Sequence, residues 1–195
     1  MRRFSMLVIP CLALLLLAVF AQCAEVYPPS VPWKQRVNQV LPAFGHRNWI
    51  CVVDSAYPLQ SREGIETIVV NDDMEDTLNY VLSQLKKQKH IAPIIYTDAE
   101  LPFVPEKFAP GIDKYRSQLN KWLGVMPVKS MLHEDIIERL DTAAITFNVL
   151  LLKTNLKLPY TSVFIELDCG YWSGEGEAAM REALKAAMPP VPEVE

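Results

Sequence analysis

The chain has 195 residues, half of them hydrophobic, with 19 basic against 23 acidic side chains and a net charge of −4. That is enough apolar material for one domain with a substantial core, and no basic stripe runs through it, which excludes nucleic acid as a partner.

In chain order, the first segment is 1–24. Arg2 and Arg3 precede an apolar run over 7–20, broken only by Pro10, and the small residues Ala21, Cys23 and Ala24 follow. This is the pattern of a secretory signal peptide, so the chain is expected to be exported, either periplasmic or secreted. The run is short for a membrane span, and cleavage after Ala24 leaves no stable membrane insertion. An uncleaved anchor and a lipoprotein carrying its lipid on Cys23 are the alternatives, the latter with Gln22 where a small residue is wanted. Without Arg2 and Arg3 the 19 basic residues become 17 against 23 acidic ones, a net charge of about −6.

Residues 25–32 read as an extended, proline-rich linker, 33–188 as a single domain, and 189–195 as a Pro-rich tail. Within the domain, Trp33, Val37, Val40 and Leu41 have helical spacing, and Gly45 ends that helix in a turn. Strands are predicted over 49–53, 66–70, 91–96, 126–130, 145–152 and 162–167. Helices are predicted over 74–89, with Asp72 or Asp73 as its cap, and over 112–123, 134–140 and 175–188. The segment 101–110 holds three prolines and reads as an irregular excursion. Alternating strands and helices predict an α/β fold, a three-layer α/β/α sandwich on a mixed, mostly parallel sheet of about six strands. The last two strands are joined by a link too short for a helical crossover, so they are expected to be antiparallel.

Cys51 and Cys169 are the two cysteines in the body of the chain. They read as buried thiols; a bridge between them stays open, and with no ligand pattern around them no metal is expected there.

Three motifs carry chemistry. Gly45-His46 leads into the apolar strand that Asp54 ends. His133-Glu134 opens a helix after a strand. Pro159-Tyr160-Thr161-Ser162 opens the last strand. Strand ends are where α/β proteins build sites, and histidine exchanges protons near neutral pH, so this set suits acid–base work on a small polar substrate. Each residue also has an ordinary structural use: His46 as a polar turn residue, Asp54 as a loop cap, His133 as a first-turn helix residue, Tyr160 as a strand-edge core residue.

These motifs, in this order, resemble the signature of the D-ribose pyranase and L-fucose mutarotase family (RbsD/FucU). The match runs over roughly 33–170: Gly45-His46, then Asp54 with Ala56-Tyr57-Pro58, then His133-Glu134, then Pro159-Tyr160-Thr161-Ser162. Ser162 stands where the family has asparagine, Ser55 interrupts the Asp-Ala segment, and 101–110 has the character of an insertion.

The resemblance implies an RbsD-like fold and a cofactor-free isomerase that opens a monosaccharide hemiacetal and recloses it as another anomer or ring size. It implies His46 as first choice of general acid/base, Asp54 orienting it or binding a sugar hydroxyl, and His133 as a second proton carrier or hydroxyl ligand. Tyr160 and Ser162 would bind sugar hydroxyls. It also implies a homo-oligomeric ring, possibly pentamer-based, in which neighbours complete each site. A non-catalytic sugar-binding protein of the same fold is the alternative, and a structural oligomer without ligand is a third reading.

Overall fold

The computed structural model describes residues 31–188. The expected signal peptide and Pro-rich tail, with Cys11 and Cys23, lie outside the described residues. In chain order the elements are α1 (Trp33–Val40), β1 (Trp49–Val53), β2 (Ile65–Val69), α2 (Met74–Leu85) and β3 (Ile91–Asp98). They continue with α3 (Ile112–Leu123), β4 (Val128–Met131), α4 (His133–Ala143), β5 (Val149–Lys153), β6 (Val163–Cys169) and α5 (Gly174–Ala187).

One six-stranded sheet has the order β2-β5-β1-β6-β3-β4. The pairs β1–β5, β2–β5 and β3–β4 are parallel, while β6 runs antiparallel to both β1 and β3. Five strands therefore point one way and β6 the other, the mixed, mostly parallel sheet that the sequence predicts. The last two strands do run in opposite directions, but they are not hydrogen-bonded to each other. β1 is inserted between them and pairs with both.

Every residue of β1 is buried. Side chains alternate across a strand, so this continuous apolar run serves two cores. Ile50 and Val52 join the core under α1, α2 and α3, whereas Trp49, Cys51 and Val53 join the one under α4. The layers follow from the helical patterns. α3 buries Ile112, Tyr115, Leu119 and Leu123, all on one face. α2 buries Leu78, Val81 and Leu85, and Asp73 caps it by accepting from the Asp76 N–H at 2.8 Å. Asp72, the other expected cap, instead accepts from the Trp33 indole N–H at 3.1 Å and ties α1 to the start of α2. α5 buries none of its residues.

Two element boundaries differ from the sequence prediction by four residues, the largest shifts in the chain. The helix expected to reach residue 89 ends at Leu85, so Lys86, Lys87 and Lys89 follow it rather than line its last turn. The strand expected from 145 starts at Val149, because the chain after α4 first makes a turn with Phe147 N–H on Ala143 O at 2.8 Å. Gly64 lies against that turn. A β-carbon there would stand 2.3 Å from Ala144 O, and Gly64 O accepts from Val149 N–H at 2.8 Å, which sets the register of β2 on β5.

Cys51 lies opposite Phe164 in the β1–β6 ladder, five residues along β6 from Cys169, and both thiols are free. Five residues of strand span about 17 Å, far beyond disulfide reach. Burial pushes the Cys51 thiol well above its usual range, so it is an inert core side chain.

Candidate active site

The carboxyl ends of the parallel strands and the amino end of the antiparallel β6 meet at one edge of the sheet. Asp54 follows β1, Asp98 closes β3, His133 follows β4 as the first residue of α4, and Tyr160-Thr161-Ser162 leads into β6. Four of the five expected site residues, Asp54, His133, Tyr160 and Ser162, therefore fall at one end of the sheet.

Asp54 and Ser162 are held by each other. The Ser162 hydroxyl donates to Asp54 Oδ2 at 3.0 Å and accepts from the Asp54 backbone N–H at 3.2 Å. Asp54 Oδ1 accepts from the Ala56 N–H at 2.8 Å, closing the turn after β1. Asp54 is 7% exposed and Ser162 fully buried. Ser162 thus spends its hydroxyl on Asp54 rather than presenting it to a ligand, and Asp54 acts as the loop cap.

His133 is placed differently. Its backbone N–H donates to both carboxylate oxygens of Glu100, at 3.1 and 3.2 Å. Leu132, the residue before the helix, makes no side-chain cap, so Glu100 reaches over to take that role and complements the helix dipole. The imidazole Nδ1 lies 2.9 Å from Asp98 Oδ1, with the Asp98 side chain fully buried and that of His133 21% exposed. Among the described residues no partner takes Nε2. The ring stands edge-on to Tyr160, centroids 5.4 Å apart, and to Tyr57, 6.2 Å apart.

Asp98 is the functional candidate that the sequence analysis missed. Its other oxygen, Oδ2, is buried without a hydrogen-bond partner among the described residues. Burial lifts its carboxyl to about 6; the hydrogen bond and charge of His133 pull the other way, and Glu100 and Asp54 add to the rise. Tyr57 is buried beside it, its hydroxyl donating to Gln60 at 3.2 Å. Burial raises that phenol far above its usual range, helped by Cys51, Asp98 and Asp54. Tyr160 has φ 58°, a left-handed conformation that a bulky side chain rarely adopts, and it is 38% exposed. A hollow of about 540 Å³ opens beside it, walled by Phe103, Val104, Phe108, Leu132 and Pro159, with Glu100 as its charged residue. The 101–110 excursion builds much of that wall.

His46 is not part of this cluster. It lies before β1, at the opposite end of the strand from Asp54, and β1 alone spans about 17 Å. Asp54 therefore does not orient His46 within one chain. The acid beside His46 is Asp168 near the end of β6, at 3.6 Å, with side chains 57% and 49% exposed. His46 and Arg47 border a groove of about 780 Å³ that also holds Trp49, Arg139 and Glu166. Arg47 has φ 74°, so Arg47 and Tyr160 are the two non-glycine residues with positive φ among the described residues, one at each end of the sheet. Among the described residues no three His, Cys, Asp or Glu side chains are grouped so as to hold a metal ion.

The fold has a counterpart among solved structures. The chain aligns with Bacillus subtilis RbsD complexed with D-ribose at a TM-score of 0.50 and 12% identity, over 73% of this chain and 98% of that one. The fold is that of RbsD. The fucose mutarotase of Streptococcus pneumoniae, in complex with L-fucose, aligns at a TM-score of 0.47 and 14% identity, over 72% of this chain and 98% of that one. FucU of Bifidobacterium longum aligns at 0.46 and 12%, over 71% and 98%. No family model matches the chain, and no curated protein matches it. At these identities the likeness to RbsD is one of fold.

Proposed function

We propose that the protein opens and recloses the ring of a monosaccharide, interconverting anomers or pyranose and furanose forms. The observation that carries this reading is the His133–Asp98 pair at the carboxyl edge of the sheet, beside Tyr160, in the fold of a protein solved with D-ribose bound. Ring opening of a hemiacetal needs a base on the anomeric hydroxyl and an acid on the ring oxygen. Both oxygens sit on the same carbon, so one imidazole reaches both. His133 Nε2 is the proton carrier in this reading, Tyr160 packs against the sugar and binds a hydroxyl, and a positioned imidazole supplies a rate gain of about 10²–10⁴.

His46 enters from a second copy of the chain. It is too far from its own chain's Asp54 and His133 to act with them, so the expected role requires a head-to-tail contact. Contacts of that kind close into rings when the rotation between copies closes. This agrees with the oligomer that the sequence resemblance implies, and backbone strain at both Arg47 and Tyr160 supports a function at both ends. We place the activity outside the cytoplasm on the strength of segment 1–24 alone.

Exchange NMR on D-ribose and L-fucose with the mature protein tests this. Faster exchange between anomers or ring forms, lost in His133→Gln, supports the reading. Sugar binding with no faster exchange overturns it in favour of a non-catalytic sugar-binding protein, which the closure of Ser162 onto Asp54 favours.

A further inference from the structure

We propose that Asp98 is the proton partner of His133: when Nε2 takes a proton, Nδ1 passes its own to Asp98 Oδ1, leaving a neutral carboxyl beside a neutral imidazole. What that proton does in turnover rests on the ring-opening reading; the relay itself rests on geometry.

In most histidine–carboxylate pairs the acid stays ionised throughout and merely orients the ring, and the imidazolium forms. Further hydrogen bonds to the carboxylate keep it so. Asp98 lacks that support. Its side chain is fully buried, Oδ1 is 2.9 Å from Nδ1, and Oδ2 meets no donor among the described residues. A buried carboxylate with an unpartnered oxygen is costly.

The other ionisable groups around Asp98 are occupied elsewhere. Glu100 is bound to the His133 N–H, Asp54 to Ser162 and Ala56, Tyr57 to Gln60, and Tyr115 to Thr161 O. Glu100 and Asp54 are acidic and make the Asp98 carboxylate still less favourable. Burial lifts its carboxyl to about 6, which brings its protonated form within reach near neutral pH.

In turnover the anomeric hydroxyl gives its proton to Nε2, and the Nδ1 proton moves to Oδ1. The bond from the anomeric carbon to the ring oxygen breaks with its electron pair going to the ring oxygen, and the anomeric oxygen becomes a carbonyl. Nε2 then protonates the ring oxygen, and Asp98 returns its proton to Nδ1. The sugar is opened, the pair is as it began, and reclosure runs the same steps backward. Asp98 is a positioning residue that also holds a proton; it touches the substrate only through His133.

The test is NMR on the full mature protein with ¹⁵N-histidine and ¹³C-carboxyl aspartate, from about pH 9 to about pH 4. The relay predicts that one carboxyl takes up a proton near pH 6 while His133 switches from the Nδ1–H to the Nε2–H tautomer and stays neutral. In Asp98→Asn that carboxyl signal disappears, His133 protonates directly to imidazolium, and sugar exchange slows about 100-fold. His133→Gln identifies the same carboxyl independently, since losing the partner that lowers its affinity moves its titration to higher pH. An Asp98 carboxyl that stays ionised while both His133 nitrogens become protonated overturns the relay, whatever the sugar data show. A tautomer switch without any faster sugar exchange upholds the relay and overturns the ring-opening reading instead.

Discussion

At the carboxyl edge of the sheet, His133 and Asp98 meet at 2.9 Å with the aspartate side chain fully buried; at the opposite edge, His46 and Asp168 meet at 3.6 Å with both side chains about half exposed. The residue types are the same, and the surroundings decide what each pair does. Water screens the His46–Asp168 pair and leaves the ring free to turn. The protein interior removes that screening from Asp98 and lifts its carboxyl to about 6. In our proposal the buried pair transfers a proton inside one chain, and the exposed pair is offered to a second copy.

The sharpest way to break this comparison is to remove each imidazole in turn. His133→Gln should lower sugar exchange by about 10²–10⁴, because it removes the proton carrier. Circular dichroism and thermal unfolding should show the fold intact. Dilution should also lower exchange, since His46 enters from a second copy in our proposal, whereas His133→Gln should lower it at every concentration.

The next effect is a pH dependence of stability. Asp98 has its carboxyl raised from 3.8 to about 6 in the folded protein. Stability from its protonated form is fully present below the unfolded value and is lost as pH rises through about 6. The loss amounts to about 3 kcal/mol at most. In His133→Gln, where Asp98 titrates without its partner, urea unfolding at about pH 5 and about pH 8 should show that slope, and adding Asp98→Asn should flatten it.

Asp54→Ala should destabilise by about 1–3 kcal/mol, since it strands the Ala56 N–H and the buried Ser162 hydroxyl. Urea midpoints measure this, and a loss of sugar exchange with unchanged stability would move Asp54 from loop cap to ligand contact. The smallest effect on stability belongs to His46→Ala, below about 0.5 kcal/mol for an exposed pair. Its effect on exchange should appear only if copies associate. Mixing His46→Ala with His133→Gln should then restore part of the activity, each variant supplying the histidine that the other lacks.

Much of this was legible in the sequence. The fully apolar 49–53 run became a central strand, and the helix predicted over 112–123 is α3 to the residue. Asp54, His133, Tyr160 and Ser162 were singled out at strand and helix boundaries and do share one end of the sheet. Asp98 closes a strand just as Asp54 does, and that signal was available for it too. What hid it is topology. Asp98 and His133 are 35 residues apart, and they meet because β3 pairs with β4 in a register that sets Asp98 beside Met131. The neighbouring positions of His46 and Asp54 in the sequence mislead for the complementary reason, since an extended strand carries its two ends apart. Insertion of β1 between β5 and β6 is also invisible locally, because a short link fixes the direction of the returning strand but not which strand it pairs with.

The most direct measurement is the rate of anomer and ring-form exchange of D-ribose and L-fucose, by saturation-transfer NMR, in wild-type protein and in His133→Gln at equal concentration. The account predicts acceleration of at least one sugar by the wild type and a return to the uncatalysed rate in the variant. Undiminished acceleration in His133→Gln would contradict it, and so would the absence of acceleration for either sugar with the His133–Asp98 pair intact.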